Sequence, residues 1–151
     1  MQNLVEATHE GVAHLFCFPE LAKIRAFRLV WAKVLEEYEA GLSEKAPATV
    51  FAKTSYWNKT VYDAHSNMLR ATTEAMSASI GGVDGLTVQP FDEITSENSE
   101  FSSRMARNIQ HLLREESYLD RVPDPGAGSY YIEVLTEEIA NASWKTFQEL
   151  E

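Results

Sequence analysis

Two short apolar stretches, separated by a helix, constrain the fold of this 151-residue chain more than any other feature. Thr49–Ala52 opens on β-branched residues and is otherwise apolar, which is typical of a strand that is buried on both faces of a sheet. Leu86–Val88 is the second strand candidate, and a helix is predicted between the two over Ala64–Ile80. Because alternating strands and helices form parallel βαβ units, we expect an α/β fold.

Three further helices are predicted around these strands. The first begins at Phe18-Pro19-Glu20, where proline suits the first helical position, and it ends at Gly41. Another covers Ser99–Glu116, and the last begins at Thr136, whose hydroxyl suits an N-cap, after an extended Tyr130–Glu133. The residues expected to face inward are Leu21, Ile24, Phe27, Trp31, Val34, Leu35 and Tyr38 in the first helix, Met68, Leu69, Thr72, Met76 and Ile80 in the second, and Phe101, Met105, Leu112 and Leu113 in the third.

The number of predicted strands is too small for a closed fold. Two strands do not make a parallel sheet that is covered on both faces, and a whole (β/α)8 barrel needs roughly 250 residues. We therefore expect a fragment, or a chain that borrows strands from a partner. Unpaired strands expose apolar surface, so the isolated chain is also expected to self-associate.

Composition excludes several classes of function. The formal net charge of −10 argues against nucleic-acid binding and against docking to an anionic membrane. No stretch is long and apolar enough to span a membrane, and the N-terminus lacks the pattern of a secretory signal. Cys17 is the single cysteine, and the four histidines lack metal-ligand spacing, so no metal site is predicted. These features together predict a cytoplasmic protein.

Seven segments follow one another in a specific order and spacing. They are Phe18–Ala26, Thr54-Ser55 with Trp57, Asn67–Ala78, Phe91–Glu93, Ser103–Gln110, Glu115–Ser117, and Asp124-Pro125 with Gly128–Glu133. Together they resemble the methylmalonyl-CoA mutase family. The resemblance implies a partial (β/α)8 TIM barrel that holds only the last β/α units. It divides the chain into an N-terminal segment (1–17), the C-terminal part of the barrel (18–133) and a helical extension after the barrel (134–151).

The departures from the family lie where its catalytic members contact substrate. Those members carry His-Cys-Gln-Thr-Ser at the end of the seventh strand, and its His and Gln reach the acyl-CoA substrate. Here Phe51 has no hydrogen-bonding group, and Lys53 offers a point charge in place of a neutral amide. The family's Gln-Ser-Leu-His-Thr-Asn is likewise replaced from Asp84 to Gln89. The degenerate positions are Phe51, Lys53, Asp84, Gly85, Thr87 and Gln89.

Loss of these groups, with the framework retained, implies a small subunit that is structural and not itself catalytic. The resemblance then implies a heterodimer with a large catalytic mutase subunit, which interconverts methylmalonyl-CoA and succinyl-CoA. Adenosylcobalamin would belong to that holoenzyme, and no catalytic, substrate-binding, cofactor or metal residue is expected on this chain.

Single residues and short motifs of the chain also allow other interpretations. Lys53 at a strand end suits a Schiff-base lysine, which would make the chain a lyase or aldolase-like barrel. A free-standing scaffold without a mutase partner is a third possibility. Asp63-Ala64-His65 is similar to a cobalt-binding motif, but Met68 stands where that motif closes with glycine. We interpret this segment as a helix N-terminus that Asp63 caps.

Overall fold

A computed structural model of the protein describes residues 8–13, 17–39, 41–95 and 99–150. Three parallel strands, β1 (Thr8–Ala13), β2 (Thr49–Thr54) and β3 (Gly85–Thr87), form one sheet in the order β1-β2-β3. The prediction of an α/β fold is therefore confirmed. The helices are α1 (Cys17–Tyr38), the short α2 (Leu42–Lys45), α3 (Ser66–Ile80), α4 (Glu100–His111) and α5 (Tyr130–Leu150), with a 3-10 turn at Glu93–Thr95 and a π-helical turn at Leu112–Glu116.

The described helices cover one face of the sheet. Val50 and Ala52 of β2 are buried against Ile24 of α1 and Ala78 of α3. Phe51 points to the opposite face and is 44% exposed, because side chains alternate along a strand. A second apolar cluster joins α3, α4 and the residues after β3 through Ala71, Ala75, Val88, Ala106 and Leu113. The sheet therefore has a packed helix side and an open side within the described part of the chain.

Strand β1 shows that the prediction of two strands is wrong. Thr8–Ala13 pairs with β2 in parallel, so that Thr8 faces Thr49 and Ala13 faces Thr54. The stretch contains a glutamate and a glycine and lacks regular apolar alternation. Its extended conformation comes from hydrogen bonding to β2, which local propensity does not report. Within the described residues, β1 and β3 each pair with a neighbour on one side only.

The last helix begins earlier than predicted. Tyr130–Glu133, expected to be extended, forms the first turn of α5, which begins two residues after Gly128 at a φ of +77°. Thr136 is therefore not an N-cap. It is buried in the second turn, where its hydroxyl donates to the Ile132 carbonyl at 2.7 Å and accepts from Arg25 Nη1 at 3.2 Å. These contacts connect α5 to α1.

Arg25 is the main polar connection between α1 and the C-terminal part of the chain. Its Nη2 donates to Asp124 at 3.0 Å and to Glu133 at 2.9 Å. Burial alone would lower the pKa of Arg25, but these two carboxylates outweigh it and raise the pKa.

The first predicted helix is confirmed by α1, whose Leu21, Ile24 and Leu35 are buried, although Tyr38 is exposed.

Helix α3 buries a different face from the predicted one. Leu69, expected inside, is 72% exposed. Small and polar residues face the sheet, which allows the helix to lie close to it. Two of the residues expected inside in the third helix, Phe101 and Leu112, are also exposed, and Leu113 is buried as predicted. The fully or nearly buried residues of α3 are Asn67, Ala71, Glu74, Ala75, Ser77 and Ala78.

No helix in the described ranges is long and apolar enough to cross a membrane.

Candidate functional site

The carboxyl ends of β2 and β3 meet at one edge of the sheet, where parallel α/β folds place their chemistry. Thr54, the last residue of β2, is buried, and its hydroxyl accepts the backbone N–H of Gln89 at 2.9 Å. This bond joins the two strand ends. Lys53 and Thr87 are register partners just before this edge, and Phe51 and Gly85 are partners one layer below.

A polar network of Lys53, Tyr56, Gln89 and Glu93 lies at this edge, on the open side of the sheet. The Gln89 amide satisfies all its partners with its oxygen 3.0 Å from Lys53 Nζ and its nitrogen facing the Tyr56 hydroxyl and the Glu93 carboxylate. Tyr56 donates to Glu93 Oε1 at 2.6 Å, and Lys53 Nζ lies 5.3 Å from the centre of the Tyr56 ring. Burial, together with the Glu93 carboxylate, raises the pKa of Tyr56 to about 12. The network therefore keeps the phenol neutral as a donor.

Phe51 and Gly85 fit each other across β2 and β3. A Cβ added to Gly85 would lie 2.6 Å from Phe51 Cε1 and closer still to Cδ1. The aromatic ring therefore occupies the volume that a side chain at position 85 would need. A glycine inside a strand commonly marks such a close approach.

Asp84 lies directly before β3, at the end of the strand opposite to Lys53, Thr87 and Gln89. Its Oδ2 accepts from the Val50 backbone N–H and from Arg28 Nη2, both at 2.8 Å. Arg28 also donates to the carbonyls of Ala48 and Gly82 at 2.6 and 2.7 Å. Burial would raise the pKa of Asp84, but the Val50 N–H and the Arg28 guanidinium outweigh it and lower the pKa. Asp84 therefore has a structural role between α1, β2 and β3.

A buried charged cluster beneath the strand ends was missed by sequence reasoning. Glu74 of α3 is fully buried and accepts from the Ser55 backbone N–H at 3.0 Å, Asn58 Nδ2 at 2.5 Å and Lys59 Nζ at 2.8 Å. The Lys59 side chain is only 3% exposed. Burial lowers the pKa of Lys59, and the Glu74 carboxylate partly offsets this. The signal available in the sequence was a glutamate on the same helical face as Ala71 and Ala78.

Asn67, two turns before Glu74 on the same face of α3, anchors the other end of this loop. It is fully buried, and its amide nitrogen donates to the carbonyls of Thr60 at 2.8 Å and Phe91 at 3.0 Å. Its oxygen accepts the Thr60 N–H at 2.9 Å. The N-cap of α3 is His65 rather than the predicted Asp63, but Asp63 does accept from the backbone N–H and the hydroxyl of Ser66, the first residue of the helix. The loop after β2 is thus held by polar side chains of α3.

The polar side chains at this edge of the sheet stabilise the loops around it, and their contacts do not form a recognisable catalytic arrangement. Lys53 Nζ lies 3.0 Å from the Gln89 amide oxygen and 5.3 Å from the centre of the Tyr56 ring, so the side chain is held by groups of its own chain. Glu74 forms an ion pair with Lys59 and accepts the Ser55 backbone N–H, so both charges are already paired within the chain. No group of His, Cys, Asp and Glu in the described ranges is arranged to hold a metal ion.

Comparison with known proteins agrees with the resemblance in the sequence. The sequence model of the family Methylmalonyl-CoA mutase matches residues 10–151. The chain is 51% identical over 135 residues to a methylmalonyl-CoA mutase small subunit of Porphyromonas gingivalis, covering 89% of this chain and 22% of that protein. It is 42% identical over 134 residues to the small subunit of Streptomyces virginiae, covering 89% of this chain and 21% of that protein.

A large subunit gives a weaker match over the same region. The chain is 36% identical over 141 residues to the methylmalonyl-CoA mutase large subunit of Porphyromonas gingivalis, covering 93% of this chain and 19% of that protein. In each case the chain spans about one fifth of the relative's length. Since the family model covers almost the whole chain, the chain belongs to the methylmalonyl-CoA mutase family, and within it resembles the small subunits.

Proposed function

We propose that this chain is part of a structural, non-catalytic small subunit that supports a large catalytic mutase subunit in a heterodimer. The observation that carries the proposal is the open side of β2. Phe51 has no polar atom, and Lys53 is engaged by Gln89, where the catalytic relatives are expected to present imidazole and carboxamide groups to substrate. Higher identity to a small subunit than to a large subunit of the same organism supports this assignment.

The fold of the whole protein follows as part of the proposal. Three parallel strands with helices on one face suit the last part of a (β/α)8 barrel, whose interior would lie on the open side of the sheet. The division into segments 1–17, 18–133 and 134–151 remains a prediction. β1 lies in the first segment and pairs with β2, so that segment would contribute a barrel strand.

The cofactor and substrate would be handled by the partner. In the heterodimer, adenosylcobalamin would serve the isomerisation of methylmalonyl-CoA and succinyl-CoA on the large subunit. Of the degenerate positions Phe51, Lys53, Asp84, Gly85, Thr87 and Gln89, Phe51 and Gly85 have no polar side-chain atom, and Lys53, Asp84 and Gln89 are engaged by other groups of this chain. Cytoplasmic localisation and self-association of the chain without its partner complete the proposal.

Co-purification tests the pairing directly. The full-length protein that contains this chain is expressed with a tagged large subunit from the same genome, and both are expected to elute together at equimolar ratio. Elution of the large subunit alone at micromolar concentration would contradict the heterodimer and favour the free-standing scaffold.

A Lys53-dependent lyase remains the alternative from a different class. The contacts of Lys53 with Gln89 and the Tyr56 ring do not favour it. Borohydride treatment in the presence of carbonyl substrates should leave the protein unmodified. Trapping that disappears in Lys53→Ala would instead establish the lyase.

A further inference from the structure

A cavity of about 330 Å³ lies between the C-terminal halves of α1 and α5. We propose that it is an anchor pocket for one arginine side chain of the large subunit. The inference rests on the proposed function, because it takes the large subunit as the partner. It goes further by naming a surface of this chain that meets the partner and the chemistry that recognises it.

Helices α1 and α5 lie side by side and run in the same direction. Near their N-terminal ends, Phe18 and Tyr131 pack edge to face with ring centres 5.7 Å apart. Toward their C-terminal ends, Lys33 lies over the ring of Trp144. The two C-terminal ends are therefore neighbours, with the cavity between them. Its lining residues are Val34, Glu37, Tyr38, Trp144, Phe147 and Gln148.

The neighbouring helix ends give this region a negative potential. The last carbonyls of an α-helix carry a partial negative charge, which a basic residue in the last turn would offset. Neither α1 nor α5, both within the described ranges, has a basic residue there. Glu37 adds a carboxylate to the cavity wall, and bonds from Ser43 and the Gly41 N–H lower the pKa of the adjacent Glu36, which therefore stays ionised. The cavity thus suits a cation.

Aromatic rings form the apolar part of the wall. Trp144 and Phe147 stack with ring centres 5.6 Å apart and planes 26° apart. Lys33 Nζ lies 4.1 Å from the centre of the Trp144 ring, so this cluster already attracts one cation from within the chain. Phe147 is 40% exposed and Tyr38 is 78% exposed, which leaves aromatic surface for a second cation.

The size and chemistry of the cavity favour an arginine. Ligand pockets span roughly 300–1,000 Å³, so this cavity accommodates one long side chain rather than a helix. A guanidinium is planar, stacks on aromatic rings and is more weakly hydrated than an ammonium, and its N–H groups bond a carboxylate such as Glu37 in pairs. A second copy of this chain would bring a net charge of −10 to an acidic surface, which disfavours self-pairing here.

Association of the full-length protein with the large subunit, measured by surface plasmon resonance, tests the anchor. Phe147→Ala and Glu37→Gln are each expected to raise the dissociation constant about tenfold or more, because they remove the aromatic wall and the carboxylate. Tyr130→Ala and Glu137→Gln, at exposed positions of α5 outside the cavity, are the matched controls and should leave it unchanged. Equal constants for all four variants would overturn the anchor and leave the proposed function standing. No association of wild type would overturn the proposed function, and the anchor with it.

Competition identifies the bound group. Arginine amide should weaken the association of wild type more than lysine amide at the same ionic strength, and this difference should vanish in Glu37→Gln. Equal competition by the two amides would overturn the assignment to arginine. Thermal unfolding of the full-length protein without the large subunit shows which chain fills the cavity. Glu37→Gln should leave the Tm unchanged, and a lowered Tm would mean that a segment of the same chain covers the cavity, which would overturn the inference.

Discussion

The two sides of strand β2 differ in what they bury and in how they relate to the mutase family. On the helix side, Val50 and Ala52 pack against α1 and α3, and Thr54 is bonded to the Gln89 backbone. On the open side, Phe51 is 44% exposed, and Phe51 and Lys53 are the positions at which we propose that the chain departs from catalytic relatives. Alternation along a strand separates the two sets residue by residue. Under the proposed function, substitutions on the open side would remove a site without disturbing the packing on the helix side.

The largest effect on the helix side is expected from Glu74→Ala. The substitution leaves the Lys59 ammonium buried without its counter-ion and three donors without an acceptor. Breaking such a buried pair typically costs about 3–5 kcal/mol of the free energy of unfolding. Denaturant unfolding measures this, with Glu149→Ala as control, since its pair with Lys145 is exposed at 3.9 Å. Equal, small effects of both changes would show that the Glu74 cluster does not stabilise the loop.

Leu21→Ala measures apolar packing at the base of α1. Leu21 is 2% exposed, and its Cδ2 lies close to Gly126 in the turn before α5. We expect a loss of about 2–5 kcal/mol, from lost burial and the cavity that remains. Leu69→Ala is the matched control, because Leu69 is 72% exposed and its removal should change stability by less than about 0.5 kcal/mol. A comparable loss at Leu69 would place its side chain in a packed interface.

Asp84→Asn tests whether this degenerate position, which lies between α1, β2 and β3, has a structural role. The lowered pKa of Asp84 means that its carboxylate stabilises the fold above its ordinary value of 3.8, and that this contribution is lost as the pH falls through the lowered value. The variant should therefore be less stable than wild type near pH 7, and the difference should shrink below about pH 4. Unfolding curves at both pH values check this. A difference that is independent of pH would contradict the Val50 and Arg28 contacts as its cause.

The smallest expected effect on stability is that of the Tyr56 phenol, and it appears only at high pH. Its pKa is raised from 10.0 to about 12, so the neutral phenol stabilises the fold below pH 10, and this contribution is lost as the pH rises toward 12. In a spectrophotometric titration, the difference between wild type and Tyr56→Phe should appear only near pH 12. Glu93→Gln should move that step to lower pH, because the carboxylate that opposes ionisation is gone. A Tyr56 step near pH 10 in wild type would exclude the network.

Sequence reasoning succeeded where local pattern determines structure. The helix α1 and the strand β2 follow from the patterns of short stretches, and the structure confirms both elements. The predicted burial is confirmed only in part, because Tyr38 of α1 is exposed and β2, expected to be buried on both faces, leaves Phe51 exposed on one of them. The family was identified because several short segments occur in one order, which a single motif would not have shown.

The failures share a cause, which is that the decisive partner lies far away in sequence. β1 is extended because β2 lies beside it. Thr136 lies inside α5 rather than at its start. The first turn of α5 is held by the bond from Arg25 to Glu133, and these two residues are 108 positions apart in the sequence. Glu74 is buried because the loop after β2 brings three donors to it. A charged residue on a helix normally faces solvent, so only the position of Glu74 among the alanines of α3 indicated that it is buried.

The central claim is that the chain carries the framework of the mutase family without its chemistry. Equilibrium binding of adenosylcobalamin and methylmalonyl-CoA to the full-length protein, purified without the large subunit, tests it most directly. The account predicts no saturable binding of either molecule and no isomerisation of the thioester. Stoichiometric binding of both, with turnover that the protein sustains alone, would contradict it.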